Sequence, residues 1–140
     1  MELKRVVVTG LGAVTPVGLS AEETWNNLLA GVSGAAPITL FDSSMYKTQF
    51  ACEVKGLNIN DWIDRREARK RDRYTQLAMV SAMQAVKDSA MDLETVNKNR
   101  IGVIFGVGIG GIKTFEDEVS YNALHKENGP KFNPFFIPKM

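Results

Sequence analysis

Two short apolar runs, each leading through a glycine-rich loop into a helical pattern, constrain the fold of this chain more than any other feature. The first covers residues 6–8 and is bounded by Gly10 and Gly12. The second covers residues 101–105 and ends in a run of glycines. Short apolar runs of this kind are typical of buried strands in parallel sheets. The sequence therefore predicts an α/β fold.

Helix signals separate the two runs. Ser20 followed by Glu23 fits a capping box, and Trp25 and Leu28 supply an apolar face before Gly31 ends the pattern. This spacing predicts a first helix between Ser20 and Gly31.

The longest helical pattern covers residues 60–89, in one or two pieces. Its part 75–86 is apolar nearly all round, which predicts a helix buried between layers. A polar amphipathic helix is expected over 113–126, before a turn at 129–130, and a short strand over 49–54.

Composition bounds the class of protein. The 140 residues are 44% hydrophobic and 24% charged, with a net charge of +1 and one cysteine. The small net charge produces no overall electrostatic field that would favour nucleic acid. A single cysteine cannot form an internal disulfide. No signal peptide or membrane span is apparent. We expect a soluble, cytoplasmic protein.

The glycine run at 106–111 satisfies G-x-G-x-x-G between a predicted strand and a predicted helix, which is the context of a dinucleotide-binding turn. Where a second strand should end in an acidic residue, the chain instead reaches 127–130, Glu-Asn-Gly-Pro, which predicts a turn. Thr15 stands where the opening loop would need its third glycine. The other interpretation is that glycines allow backbone to pass close to backbone or to a ligand.

Cys52 and His125 are the only cysteine and histidine. Cys52 sits beside Glu53 in a strand-like stretch, and a neighbouring negative charge disfavours a thiolate. We expect Cys52 to be a small buried hydrophobe and His125 a solvated surface residue. No motif supports a dyad between them.

A basic cluster occupies residues 65–73, where six cations oppose Glu67 and Asp72 and leave a net charge of +4. Four of the cations form one stripe at helical spacing: Arg66, Arg69, Lys70 and Arg73. The stripe is either a solvated helix face or a docking patch for an anionic partner. Nucleic acid is disfavoured because aromatic residues do not interleave with the cations.

The chain closes on an apolar aromatic segment, residues 133–140. Exposed Phe135, Phe136 and Ile137 would form an adhesive patch. The segment therefore predicts either a covering partner or a chain that has been cut.

Taken in order, these segments resemble the β-ketoacyl-acyl carrier protein synthases, particularly their type II, elongating branch. The resemblance spans the whole chain and is carried by residues 5–18, 29–34, 66–72, 106–111 and 134–138. It implies a thiolase-like fold with α-β-α-β-α layers, formed by two related halves and assembled as a homodimer. Residues 1–140 would be most of the first half, an incomplete N-terminal synthase domain.

The resemblance also implies a reaction, a decarboxylating Claisen condensation of an acyl thioester with malonyl-acyl carrier protein in fatty acid elongation. The family's cysteine nucleophile and its two catalytic histidines lie beyond the segment matched by 134–138. This chain is therefore expected to carry no catalytic residue and to be inactive alone. No cofactor and no metal are expected.

Binding residues can be carried over by position. Ile109 matches a residue that lines the family's acyl pocket, and Phe136 matches a pocket residue contributed across the dimer interface. Ile112 is expected to lie near this pocket. Three residues match the family's docking patch for acyl carrier protein, a strongly acidic partner: Arg66, Arg69 and Lys70. Lys131 falls near a second basic docking position.

Two alternatives remain open. One is a polyketide-type ketosynthase, or a chain-length factor that has glutamine in place of the nucleophilic cysteine. The other is a non-catalytic nucleotide-binding module that uses the glycine run at 106–111.

Overall fold

The computed structural model describes residues 4–140, apart from the side chain of Asn128. Its contacts divide the chain into two compact units. The first unit comprises Met1–Leu57 and Val80–Val96, and the second comprises Asn58–Met79 and Asn97–Met140.

Helices dominate the described residues. The α-helices and the two strands are α1 (Ala21–Leu29), β1 (Ala36–Pro37), β2 (Phe50–Ala51), α2 (Arg65–Arg69), α3 (Arg73–Asp88), α4 (Ile112–Leu124) and α5 (Phe136–Lys139). Short 3₁₀ turns lie at Ile59–Asp61, Lys98–Arg100 and Lys126–Asn128. Among the described helices, none combines the length and hydropathy that crossing a membrane requires.

The first helix begins at the predicted cap. The Ser20 hydroxyl accepts a hydrogen bond from the Glu23 amide at 3.1 Å, and the Glu23 carboxylate accepts one from the Leu19 amide at 2.7 Å. Gly31, with φ of +71°, follows the helix in the left-handed conformation that favours glycine. The prediction of a helix between Ser20 and Gly31 is confirmed.

The opening glycine loop packs directly on α3 within the first unit. A Cβ atom on Gly12 would lie 1.9 Å from the Ser81 carbonyl oxygen, and one on Gly10 would lie 2.2 Å from that of Ala85. These glycines are therefore required by close backbone approach, as one of the two interpretations of the glycine loops predicted.

Gln84 of α3 fixes the same loop from its side chain. Its Oε1 accepts a hydrogen bond from the Ala13 amide at 3.0 Å, and its Nε2 donates to the Leu19 carbonyl at 2.6 Å. One side chain thus satisfies two backbone groups that lie six residues apart, and it ties the loop to the helix.

The two predicted buried strands are not formed. Residues 6–8 and 101–105 adopt no regular structure and are exposed, with Val6 at 89% and Ile104 at 96% of full accessibility. A strand requires a hydrogen-bonded neighbour. Within residues 4–140 the one sheet is the antiparallel pair β1–β2, in which Ala36 faces Ala51. The strand expected over 49–54 is confirmed only as β2.

The long helical region does form in two pieces, α2 and α3. The prediction that 75–86 is buried on all sides is wrong, because Val80 is the one buried residue of α3 and Met83 is 40% exposed. Most of the other apolar positions of the helix are half-buried in the described structure.

Candidate functional site

A groove of about 770 Å³ opens within the second unit. Its walls come from α2, α4 and the segment that precedes α5. The lining residues are Arg66, Arg69 and Lys70 from α2, Asp117, Glu118 and Tyr121 from α4, and Lys131, Phe132, Asn133, Pro134 and Phe135 from the last segment. We call it the basic-aromatic groove. It brings together the four residues predicted to form a docking patch.

Helix α2 presents three of these cations because of where it begins and ends. The Asp64 carboxylate caps it by accepting hydrogen bonds from the amides of Arg66, at 2.8 Å, and Glu67, at 3.4 Å. Positions 66, 69 and 70 then fall on one helical face. The helix ends with Lys70 as its C-terminal cap.

The predicted single stripe of four cations is wrong in one member. Arg73 begins α3 rather than continuing α2. The chain turns at 70–72, where the Gln76 side chain donates hydrogen bonds to the carbonyls of Ala68, at 2.9 Å, and Arg71, at 3.3 Å. The Asp72 carbonyl accepts the Gln76 amide at 3.0 Å and so starts the new helix.

One acidic residue of α2 partly neutralises the basic wall. The Glu67 carboxylate lies 2.6 Å from the Lys70 ammonium and 3.6 Å from the Arg71 guanidinium. The hydrogen bond from Lys70 and the charge of Lys70 lower the pKa of Glu67. Within the described part of the chain, no carboxylate pairs with Arg66, Arg69 or Lys131, so their charges remain available to a partner.

The α4 wall is acidic, but its charges are engaged locally. Both carboxylate oxygens of Asp117 accept hydrogen bonds from the Lys113 ammonium, at 2.9 and 3.0 Å, and this bond raises the pKa of Lys113. The Glu118 carboxylate accepts a hydrogen bond from the Asn133 amide at 2.9 Å. Four cations against these two acids leave the groove positive.

Aromatic rings form the apolar part of the groove and its support. The Phe132 and Phe136 rings stack with centroids 5.5 Å apart, and Phe136 stacks in turn on Phe115 at 6.2 Å. The Lys70 ammonium lies 5.9 Å from the centroid of Phe135. An anionic partner with apolar side chains would find both charges and apolar surface here.

The predicted acyl-pocket residues lie elsewhere in the second unit. Ile109 is 77% exposed, Ile112 begins α4, and Phe136 is half-buried in the aromatic stack. The turn that carries Ile109 packs on α5, because a Cβ atom on Gly111 would lie 2.6 Å from the Lys139 carbonyl oxygen. In the described structure none of the three lines the basic-aromatic groove.

Cys52 is exposed and belongs to the first unit, so its expected burial is wrong. The β1–β2 pair covers only two residues of each strand and ends at Ala51, so the pair does not cover the thiol. His125 belongs to the second unit. It is half-exposed, with its ring stacked on Tyr121 at 4.4 Å and its Nδ1 2.8 Å from the Tyr121 carbonyl oxygen.

The residues around the glycine run at 106–111 lack the context of a dinucleotide-binding turn. A helix follows the run, but residues 101–107 form no strand before it. No group of three or more potential metal-ligating side chains occurs within residues 4–140.

Three residues of α4 were not predicted from the sequence. Glu118 and Tyr121 line the groove, whereas Asn122 does not line it. Glu118 contacts the backbone of Asn133, and Asn122 contacts that of Lys131. The available signal was the spacing of four between Glu118 and Asn122, which places both on one face of a helix.

Comparison with known proteins gives a consistent result. Residues 3–140 match the family model described as "Beta-ketoacyl synthase, N-terminal domain". The chain is 44% identical over 137 residues to a 3-oxoacyl-[acyl-carrier-protein] synthase 2 of Staphylococcus aureus (strain COL), covering 98% of this chain and 33% of that protein. It is 40% identical over 141 residues to the Synechocystis protein of the same name, covering 100% and 33%. The chain thus spans about a third of the length of these curated relatives.

Two solved structures with similar folds contain ketosynthases. The ishigamide ketosynthase/chain length factor gives a TM-score of 0.75 at 26% identity, covering 95% of this chain and 33% of that one. A type II polyketide synthase acyl-carrier protein in complex with its ketosynthase gives 0.71 at 25% identity, covering 98% and 35%. The thiolase-like α/β fold class implied by the sequence resemblance is confirmed by these neighbours, although the described residues form no parallel strands.

Proposed function

The chain belongs to the β-ketoacyl synthase family, and from this premise we propose that the whole protein is a condensing enzyme of fatty acid elongation. A cysteine thiolate takes an acyl group from acyl carrier protein as a thioester. Malonyl-acyl carrier protein then loses carbon dioxide, and the resulting carbanion attacks the thioester carbonyl. The carbon–carbon bond forms, the cysteine leaves as thiolate, and 3-oxoacyl-acyl carrier protein is released.

Within that enzyme, this chain binds rather than catalyses. The observation that carries the proposal is the basic-aromatic groove, in which Lys131 meets the three α2 cations although it lies more than sixty residues away in sequence. A positive surface attracts an acidic partner and orients it during encounter. We assign the groove to the docking of acyl carrier protein.

The acyl chain binds elsewhere in this proposal. Ile109, Ile112 and Phe136 line part of an apolar pocket, with Phe136 contributed to the partner subunit of a homodimer. Burial of a hydrocarbon chain is favourable by about 0.8 kcal/mol per methylene. Exposed apolar side chains such as Val6 and Ile104 support further association. We place the enzyme in the cytoplasm, where acyl carrier protein is available to it.

A polyketide-type ketosynthase or chain-length factor is the second candidate, favoured by the two structural neighbours described above. Their identity to this chain, 26% and 25%, is lower than the 44% shared with the Staphylococcus protein. A glutamine in place of the nucleophilic cysteine of the whole protein would favour the chain-length factor.

A condensation assay tests the proposed activity. The whole protein, supplied with an acyl-acyl carrier protein and malonyl-acyl carrier protein, is expected to release carbon dioxide and form one 3-oxoacyl thioester per cycle. The 140-residue chain alone is expected to form none. Condensation by the chain alone, or repeated extension without reduction by the whole protein, would contradict the proposal.

A further inference from the structure

The segment that carries Lys131 has no regular structure of its own, yet α4 holds it in place. The Lys131 amide donates a hydrogen bond to Asn122 Oδ1 at 2.6 Å, and Asn122 Nδ2 donates to the Lys131 carbonyl at 2.9 Å. One side-chain amide therefore engages both backbone polar groups of Lys131, as a neighbouring strand would.

Glu118, one helical turn earlier, repeats the contact. Its carboxylate accepts the Asn133 amide at 2.9 Å, and its own carbonyl accepts a second bond from Asn122 Nδ2 at 2.8 Å. The Asn122 amide is thereby oriented by the helix on which it lies.

Both contacts can form together because the distance between Glu118 and Asn122 along the helix is close to the distance between their partners along the segment. Four helical residues rise about 6 Å. Two residues of extended chain advance about 6.6 Å. Asn122 contacts residue 131 and Glu118 contacts residue 133, which fits a segment that runs extended and antiparallel to the helix. Any shift of the segment by one residue would break both contacts.

From this geometry we propose that Asn122 is a positioning residue of the basic-aromatic groove. Together with Glu118 it fixes the register of residues 131–133, so that Lys131 stands opposite the α2 cations. The proposal rests on the proposed function, since its consequence for binding is measured with acyl carrier protein. A loose segment would present the same charge without a fixed location, and a partner would have to order it on binding.

The test compares Asn122→Ala, and Asn122→Ser as a second variant, with Ser120→Ala as the control for an exposed α4 substitution. Hydrogen exchange in the whole protein is expected to be faster at the Lys131 amide in both Asn122 variants and unchanged in Ser120→Ala. Unchanged exchange in the Asn122 variants would overturn the positioning role.

Kinetics with malonyl-acyl carrier protein provide the second measurement. Asn122→Ala is expected to raise KM about three- to tenfold at unchanged kcat. In a Lys131→Ala background the same substitution is expected to change KM less than about twofold, because the positioned cation is already missing. An equal rise in both backgrounds would overturn the proposal.

Two variants of Glu118 separate the effect of its hydrogen bond from the effect of its negative charge. Glu118→Gln keeps an acceptor for the Asn133 amide and removes a negative charge, so that exchange at Asn133 should stay slow while KM stays the same or falls. Glu118→Ala should speed that exchange. Fast exchange of the Asn133 amide in Glu118→Gln would contradict the proposed role of Glu118 in holding residues 131–133.

Failure of the proposed function gives a different result. If charge reversal of Arg69 and Lys70 leaves KM unchanged, the groove is not the docking site and the expected effects on KM are overturned. Faster exchange at the Lys131 amide in the Asn122 variants would still show that Asn122 holds the segment. If KM responds to that reversal but not to Asn122→Ala, docking stands and only the positioning role is overturned.

Discussion

The Lys70 ammonium lies 5.9 Å from the centroid of the Phe135 ring, which joins the basic wall of the groove to its aromatic wall. A cation over an aromatic face is stabilised by about 0.5–1 kcal/mol at an exposed site. Lys70 also pairs with Glu67. The Lys70 ammonium therefore interacts with two groups of its own chain, the Phe135 ring and the Glu67 carboxylate.

Glu67→Gln is expected to strengthen the binding of acyl carrier protein. The substitution removes a negative charge beside the groove and releases Lys70 from its ion pair, so the positive field increases. We expect the dissociation constant to fall about two- to threefold at low salt. Isothermal titration calorimetry measures the dissociation constant. The control is Glu22→Gln, which removes an exposed carboxylate of α1 outside the groove. Equal or weaker binding by Glu67→Gln would show that Glu67 does not limit the groove.

The same pair predicts a pH dependence of stability. Because Lys70 lowers the pKa of Glu67 from its usual value of 4.5, the contribution of Glu67 to stability is present above that pH. It is lost as the pH falls through the lower, folded-state pKa. The stability difference between the wild-type chain and Glu67→Gln, measured by denaturant titration, should be constant near neutral pH and disappear in acid. A difference that grows in acid would contradict the assignment.

Gly12→Ala is expected to destabilise the first unit. The new methyl group would overlap the Ser81 carbonyl oxygen, which belongs to the backbone of α3 and cannot rotate away. We expect the free energy of unfolding to fall by about 3 kcal/mol. Gly102→Ala is the matched control, since nothing lies within 4 Å of its Cβ position, and its effect should stay within about 0.5 kcal/mol. Equal effects would show that the loop does not pack on α3.

Cys52→Ser is expected to leave condensation by the whole protein within about twofold of wild type. Cys52 lies outside the basic-aromatic groove, which is the reason to expect little effect on condensation. Because Cys52 is exposed, we also expect its thiol to react readily with a thiol reagent. Comparison of the condensation rates of the two proteins checks the first expectation. A large loss of activity on substitution would make Cys52 the nucleophile and overturn the assignment of a binding role to this chain.

Sequence patterns predicted the local features that depend on local chemistry. The Ser20 cap and the helix after the glycine run follow from caps, periodicity and glycine placement, and both are present. The pattern over 60–89 predicted helix but left open whether it forms one piece or two. Resemblance to a family also singled out Lys131, which no local pattern connects to α2.

Features that depend on distant neighbours were not predictable in the same way. The apolar runs at 6–8 and 101–105 have the composition of buried strands, but burial and pairing come from neighbours that the described residues do not supply. The turn at 70–72 contains neither glycine nor proline. It is fixed by the side chain of Gln76, which bonds back to α2, and the contact of Asn122 with Lys131 likewise depends on a residue outside the helix.

The KM for malonyl-acyl carrier protein of an enzyme with a charge-reversed groove tests the central claim most directly. Arg69→Glu with Lys70→Glu should be compared with Lys47→Glu and Lys55→Glu, which change the net charge equally outside the groove. At low salt we expect the groove pair to raise KM for malonyl-acyl carrier protein about tenfold or more and the control pair to change it less than about twofold. The difference should shrink at high salt, where charges are screened. Equal KM values for the two pairs at low salt would contradict the assignment of the groove to carrier-protein docking.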